Sequence, residues 1–282
     1  MVGHSSGVSS ATLLLAGGVS VVVGASFVLV ARRIASRAVS VENAGALRAQ
    51  VTWWAGLGAY LLIQGAFTAA AAQGVAVASA YAVSRMVAIP VLCAAVWGLM
   101  TFLLHLYGGG ARAPWFLAAA YAGVTIFFLY ATFADGVPPL RYARWNIGYD
   151  DGSPLIQAVY LLVGVPVILA SIAYLALVRR VADPGQRYRI VLTGASILSY
   201  VGLGLAARLA STDLLPFLTL VPLGALAASA ALLAYYPPRW VRLRFEPAAQ
   251  DGDAVVEAAR ELARRDAALR DAELAYRLRE LV

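Results

Sequence analysis

The stretch TLLLAGGVSVVVGASFVLV, residues 12–30, decides the fold class, because it carries no charge over the roughly 20 residues that a helix needs to cross a membrane. Six further apolar stretches of similar length follow it. They are continuously apolar, whereas the strands of a membrane barrel alternate polar and apolar residues. The sequence therefore predicts an all-α polytopic membrane protein with seven transmembrane helices, at 9–31, 51–72, 75–105, 114–134, 154–178, 188–209 and 213–236.

The composition excludes an ordinary soluble domain. Of the 282 residues, 61% are hydrophobic and 13% are charged, whereas a soluble domain has about 25% charged residues. All 22 basic residues are arginines, so a lysine Schiff base with retinal or pyridoxal phosphate is excluded. A chain that lacks lysine and is rich in alanine and arginine also indicates a bacterial or archaeal source.

The distribution of arginine predicts the orientation. Twelve arginines lie beside the ends at which spans one, three, five and seven finish, and three lie at the opposite ends. Positive residues favour the cytoplasmic side, so the N-terminus is expected outside and the C-terminus inside, in the plasma (inner) membrane. The first ten residues carry no arginine, so the first span is expected to be retained and not cleaved as a signal peptide. The net charge of +7 then indicates contact with anionic lipid headgroups, not nucleic acid.

Three segments are predicted along the chain. The seven-helix domain covers 1–236, a basic amphipathic juxtamembrane linker covers 237–252, and a charged cytoplasmic helix covers 253–282. The last helix has short heptad-spaced apolar positions that suit a coiled coil between two copies, docking on the cytoplasmic face, or a solvated helix. These three alternatives stay open.

The first and last three spans show a weak similarity. Residues 29–35 read LVARRIA and residues 176–182 read ALVRRVA, and spans three and seven each contain a central proline, Pro90 and Pro222. A parallel 3+1+3 repeat with span four as the linker accounts for this. Chance similarity between apolar helices that end in arginine accounts for it as well.

Arg85 is the main candidate for a functional residue, because it lies about 15 Å into span three at 1.5 Å per residue. An ionisable residue inside the membrane needs a partner, a wet cavity or a bound anion. The alternative is that Arg85 bonds helix carbonyls and neighbouring side chains and holds the packing together. The ligand-binding residues predicted on nearby faces are Arg85, Tyr81, Ser84, Gln64, Ser199, Tyr200 and Asp213.

Catalysis has little support in the sequence. The predicted spans contain no Asp or Glu in their cores, and no nucleophile–base motif is present. His4 and His105 are too far apart for a local metal motif, and Cys93 is the single cysteine. We therefore expect no enzyme activity, no catalytic residues, no metal and no cofactor.

The plan of seven helices followed by Pro237-Pro238-Arg239-Trp240 resembles the seven-helix sensory input regions that bacteria join to histidine kinases or cyclases. The resemblance implies a sensor. Because the sequence ends at Val282 without an output domain, the signal is expected to pass to a cytoplasmic partner. The bundle is also similar to microbial rhodopsins, since Tyr81, Ser84, Arg85 and Pro90 resemble the polar-to-proline spacing of their third helix. Span seven has no lysine for retinal.

Three functions remain. The first is a sensor or receptor-like protein that binds a small ligand near Arg85 in the outer half of the bundle. The second is a small-solute transporter built on a three-helix repeat. The third is a non-catalytic scaffold subunit that pairs through residues 253–282 with a partner or a second copy.

Overall fold

The computed structural model describes residues 10–38, 45–75, 77–107, 112–137, 139–142, 147–148, 154–179, 181, 184–209 and 214–241. Within these ranges it contains two two-residue strands, a turn of 3-10 helix at Leu177–Arg179, and seven long α-helices. The strands β1 (Arg141–Tyr142) and β2 (Ile147–Gly148) pair antiparallel. The helices are α1 (Ser10–Ala38), α2 (Gly45–Ala72), α3 (Ala78–Leu106), α4 (Ala113–Phe133), α5 (Pro154–Ala176), α6 (Pro184–Leu209) and α7 (Leu214–Tyr235).

The predicted all-α bundle of seven transmembrane helices is confirmed, because all seven helices are long and apolar enough to cross a membrane. Several helices are longer than the apolar windows that predict them. Helix α1 continues through Arg32 and Arg33 to Ala38, since a helix keeps its hydrogen-bonded backbone beyond the hydrocarbon while arginine side chains reach the headgroups. The predicted orientation of the termini stays a prediction.

The chain divides after Tyr236 into two units, Met1–Tyr236 and Pro237–Val282. The described part of the second unit is Pro237 to Val241, where residues 239–241 are helical and the backbone N–H of Val241 donates to Pro238 O at 3.0 Å. The rest of the predicted linker and the whole predicted helix at 253–282 lie outside the described residues.

The seven helices form a closed ring in chain order, because each packs on the next and α7 packs on α1. Helix α3 also contacts α5 across the ring. The ring has two ends, which differ in the segments that lie there. The hairpin end is where α1, α3, α5 and α7 begin and where β1 and β2 lie between α4 and α5, and the tail end is where α7 finishes at Tyr235.

Helices α1 and α2 approach each other backbone to backbone. A Cβ placed on Gly17 would lie 2.9 Å from the carbonyl oxygen of Gly65, and one on Gly24 would lie 2.8 Å from that of Gly58. The reverse substitutions meet the same obstacle, so the four glycines form two reciprocal pairs. Small residues at a helix interface allow this close van der Waals contact within a membrane, where the hydrophobic effect does not hold helices together.

The loop after α2 shows why one further glycine is needed. The N–H of Gly74 donates to Ala71 O at 3.0 Å, and the N–H of Val75 donates to Ala70 O at 3.1 Å. These two hydrogen bonds satisfy carbonyl groups at the end of the helix. They require the residue after the helix end to adopt the left-handed backbone conformation. Gly74 supplies it with φ of 83°.

The interior of the ring is richest in large side chains at the tail-end half. Phe27 of α1, Trp54 of α2 and Val96 of α3 are fully buried there, and Ala227 of α7 packs into the same cluster. The outer surface carries apolar side chains such as Phe116 and Ile126 of α4, as expected for helices that face lipid.

Candidate functional site

Arg85 lies seven residues after Ala78, the first residue of α3, which is about 10 Å along the helix axis from the hairpin end. Its side chain is only 5% exposed. The guanidinium carbon lies 5.9 Å from the ring centroid of Tyr81 and 5.5 Å from that of Phe128 on α4. Both distances are within the range of attractive cation–π contacts, so the aromatic faces stabilise a charge that lipid alone would not.

The phenol ring of Tyr81 extends this cluster to α2. Its centroid lies 4.7 Å from that of Phe67, which is near the hairpin end of α2. Tyr81 and Arg85 are one turn apart on α3 and therefore share a face, as the sequence predicted. Three helices, α2, α3 and α4, thus contribute side chains around Arg85.

Gln64 of α2 lies at nearly the same depth as Arg85. The antiparallel helices α2 and α3 meet at Phe67 and Tyr81 nearer the hairpin end, and at Gly56 and Val91 nearer the tail end. Gln64 and Arg85 lie between these two pairs of contacts. The Nε2 atom of Gln64 is buried and has no hydrogen-bond partner among the residues that the structure describes. A buried amide donor of this kind needs an acceptor, because a buried donor without a hydrogen bond costs free energy of folding.

Ser84 uses its hydroxyl locally. Its Oγ donates to the carbonyl oxygen of Tyr81 at 2.8 Å, within the same helix. The side chain is half-buried. Ser84 therefore stands beside the Arg85 cluster with its donor already directed back to the helix backbone.

Of the two predicted residues on α6, one is a buried serine and the other makes a ring contact with α1. Ser199 is buried, and the ring of Tyr200 lies edge-on to Phe27 of α1 at 6.4 Å between centroids. Phe27 in turn contacts Trp54 at 4.9 Å. Ring contacts thus connect Tyr200 to α1 and α2, whereas those of Arg85 involve α3 and α4. Asp213 lies outside the described residues.

A second polar and aromatic cluster, which the sequence analysis missed, lies at the tail-end half. The Nε2 atom of Gln50 on α2 donates to the hydroxyl of Tyr235 at the end of α7. Trp54 packs edge-on against Tyr235 at 6.1 Å and lies 6.3 Å from Trp53. The signal was present in the sequence as a tryptophan pair beside a glutamine, but the predicted span began at residue 51 and left Gln50 in the loop.

Metal-ligating groups do not gather in the described part of the chain, where no three His, Cys, Asp or Glu side chains come together. Cys93 is buried in α3, and His105 is exposed at the tail end of the same helix. Within the described residues, the polar chemistry of the bundle is therefore that of arginine, amides, hydroxyls and indoles.

A ring of seven apolar helices with buried polar clusters defines the chain as a multi-pass integral membrane protein. In comparisons with protein-family models, with curated proteins and with solved structures, nothing matches this chain. Its function has to follow from the side chains themselves.

Proposed function

We propose that the protein is a sensor or receptor-like membrane protein, which binds a small anionic ligand beside Arg85 and signals through helix movement to a cytoplasmic partner. One observation carries the proposal. A buried guanidinium on α3 and a buried amide donor on α2, Gln64 Nε2, lie at the same depth. A carboxylate or phosphate group would accept hydrogen bonds from both donors.

The aromatic contacts of Arg85 suit this role. Rings stack on the faces of a guanidinium, whereas its N–H donors lie in its plane, where they match two oxygens of a carboxylate or phosphate. The ring centroids of Tyr81 and Phe128 lie 5.9 and 5.5 Å from the guanidinium carbon of Arg85. A low-dielectric surrounding strengthens any charge-assisted bond made there.

A signal from this site would pass through helix contacts. A ligand between Arg85 and Gln64 would act on α2, α3 and α4, and α3 also contacts α5 across the ring. Only a ligand with different affinities for two packings of these helices shifts their populations. The tail beyond Tyr236 would carry that shift to a partner at the membrane surface.

The asymmetry of the two triplets argues against transport as the first choice. A carrier built on a parallel repeat needs polar groups at matching depth in both halves. Arg85 stands five residues before Pro90, and the position five residues before Pro222 is Phe217. The second triplet therefore has no charge in the corresponding place.

The test uses the full chain in mild detergent, with native mass spectrometry for a retained molecule and thermal unfolding in the presence of small monocarboxylates and phosphate monoesters. We expect a retained or stabilising anion with the wild type. It should be lost in Arg85→Ala, weakened in Gln64→Leu and unchanged in Arg48→Ala, because Arg48 is an exposed arginine on α2. Ligand at 100 times its Kd adds about 2.7 kcal/mol to the free energy of unfolding.

The opposite result would assign Arg85 a structural role. If no anion is retained or raises the midpoint of the wild type, and Arg85→Ala lowers the midpoint without any ligand, Arg85 holds α3 to α4 through its aromatic contacts. The scaffold function would then replace the sensor.

A further inference from the structure

The tail-end half of the bundle contains a small cavity at the point where helices from opposite sides of the ring meet. Its volume is about 10 Å³, close to the smallest space that holds one water molecule. A larger ligand does not fit. The cavity is lined by Gln50, Trp53, Trp54, Leu99, Phe102, Tyr174, Thr193 and Ile197.

Three of the lining side chains carry polar atoms with no hydrogen-bond partner among the described residues. They are Trp53 Nε1, Trp54 Nε1 and Thr193 Oγ1. The exposed fractions of these side chains are 1%, 0% and 3%. Buried indole N–H groups and hydroxyls normally find a hydrogen-bond partner, so two indoles and one hydroxyl around one space indicate an occupant that can hydrogen-bond.

We propose that this cavity is a binding site for one internal water molecule that links α2 to α6. The water oxygen accepts hydrogen bonds from the N–H groups of Trp53 and Trp54. The same water donates a hydrogen bond to Thr193 Oγ1. Tyr174, whose hydroxyl lies near Thr193, is within the same wall and offers a further partner. This gives the water the two to four polar partners that ordered internal waters have.

The wall is mostly apolar, and its few polar atoms favour water over other small occupants. Indole is a donor only, so an occupant must bring acceptor lone pairs, and an apolar atom or a cation does not satisfy it. The amide of Gln50 already donates to the hydroxyl of Tyr235. This hydrogen bond joins α2 to α7 beside the cavity. Helices α2 and α6 are not neighbours in the ring, so the water provides a polar connection between two helices that are not adjacent.

The direct test is a high-resolution experimental structure of the full chain in lipid nanodiscs. We expect density for one water in the cavity, at about 2.7–3.2 Å from at least one indole nitrogen and from Thr193 Oγ1. A cavity that is dry, or closed by a side-chain rearrangement in which both indoles bond backbone carbonyls, overturns the proposal whatever the variants do.

A matched pair of variants tests the same site in solution. Thr193→Val and Thr101→Val both replace a buried threonine whose hydroxyl has no described partner, but Thr101 does not line the cavity. We expect Thr193→Val to lower the thermal midpoint by a few degrees, because the water loses an acceptor. Thr101→Val should leave it unchanged or raise it, because it removes an unsatisfied hydroxyl. Equal shifts in the two variants contradict a bound water.

Discussion

The α1–α2 pair and the α6–α7 pair hold the ring together in two different ways. Helices α1 and α2 meet through two reciprocal glycine pairs, so their backbones touch. Helices α6 and α7 meet through side chains, as where Leu223 covers Gly202 and where Ser196 Oγ donates to Ala227 O at 2.7 Å. Side chains have alternative rotamers, whereas a backbone contact has no small adjustment.

The backbone contact makes the α1–α2 pair the part of the bundle that is expected to resist rearrangement. We expect α1 and α2 to act as a fixed support, since rotation of either helix would replace the glycines at the contact with larger side chains. The α6–α7 pair has room to repack, and α6 carries Thr193, Ser196 and Ser199 along buried positions. In a sensor, the adjustable pair is the natural place for two alternative packings.

The largest effect is expected when a methyl group is added between α1 and α2. In Gly58→Ala the new Cβ would lie 2.8 Å from the carbonyl oxygen of Gly24 and 3.0 Å from the backbone nitrogen of Val28. Backbone atoms cannot rotate away, so the helices must separate. Overpacking of this kind costs about 1–3 kcal/mol in free energy of unfolding, measured as a lower thermal midpoint in detergent.

The control for this prediction lies on the same pair of helices. A Cβ on Gly18 of α1 has no atom within 4 Å outside its own helix. Gly18→Ala should therefore keep or raise the midpoint, because alanine is the better helix former by about 1 kcal/mol. If Gly58→Ala and Gly18→Ala behave alike, the backbone contact does not carry the stability of the pair.

The fold was largely predictable from the sequence, and the packing was not. The length and continuity of the apolar stretches define seven helices, because the bilayer fixes how long each must be. Helical spacing places Tyr81 on the face of Arg85. Nothing in the local sequence gives the rotation of α4 that brings Phe128 to the guanidinium, since this depends on how neighbouring helices pack.

The spacing of the interface glycines was visible in the sequence and was missed. Gly17 and Gly24 are seven residues apart, and so are Gly58 and Gly65, which is a spacing that brings small residues back to one helix face. The site prediction grouped Ser199 and Tyr200 with Arg85 because all are polar and within spans, and that grouping stays a prediction. The ring contact of Tyr200 with Phe27 was not predicted, because it depends on how α6 packs on α1.

A smaller effect is expected for the serine bond between α6 and α7. Ser196 and Ser171 are both completely buried, and each donates at 2.7 Å to a carbonyl oxygen. The acceptor of Ser171 is Val167 of its own helix, whereas the acceptor of Ser196 belongs to α7. Ser196→Ala should therefore cost about 0.6 kcal/mol, typical of bonds between membrane helices, and Ser171→Ala should cost less in the same unfolding measurement. The reverse order would show that the α6–α7 contact does not depend on this bond.

The smallest effect is expected at Gly202 of α6. It tests whether the α6–α7 contact differs from the backbone contact between α1 and α2. A Cβ there would lie 3.5 Å from a terminal methyl carbon of Leu223, which is ordinary van der Waals contact. Leucine can change rotamer, so Gly202→Ala should shift the midpoint by no more than Gly18→Ala does. A loss as large as that of Gly58→Ala would mean that α6 and α7 also pack backbone to backbone. The ring would then have two fixed supports, and the repacking expected of a sensor would have to occur at α4 or α5.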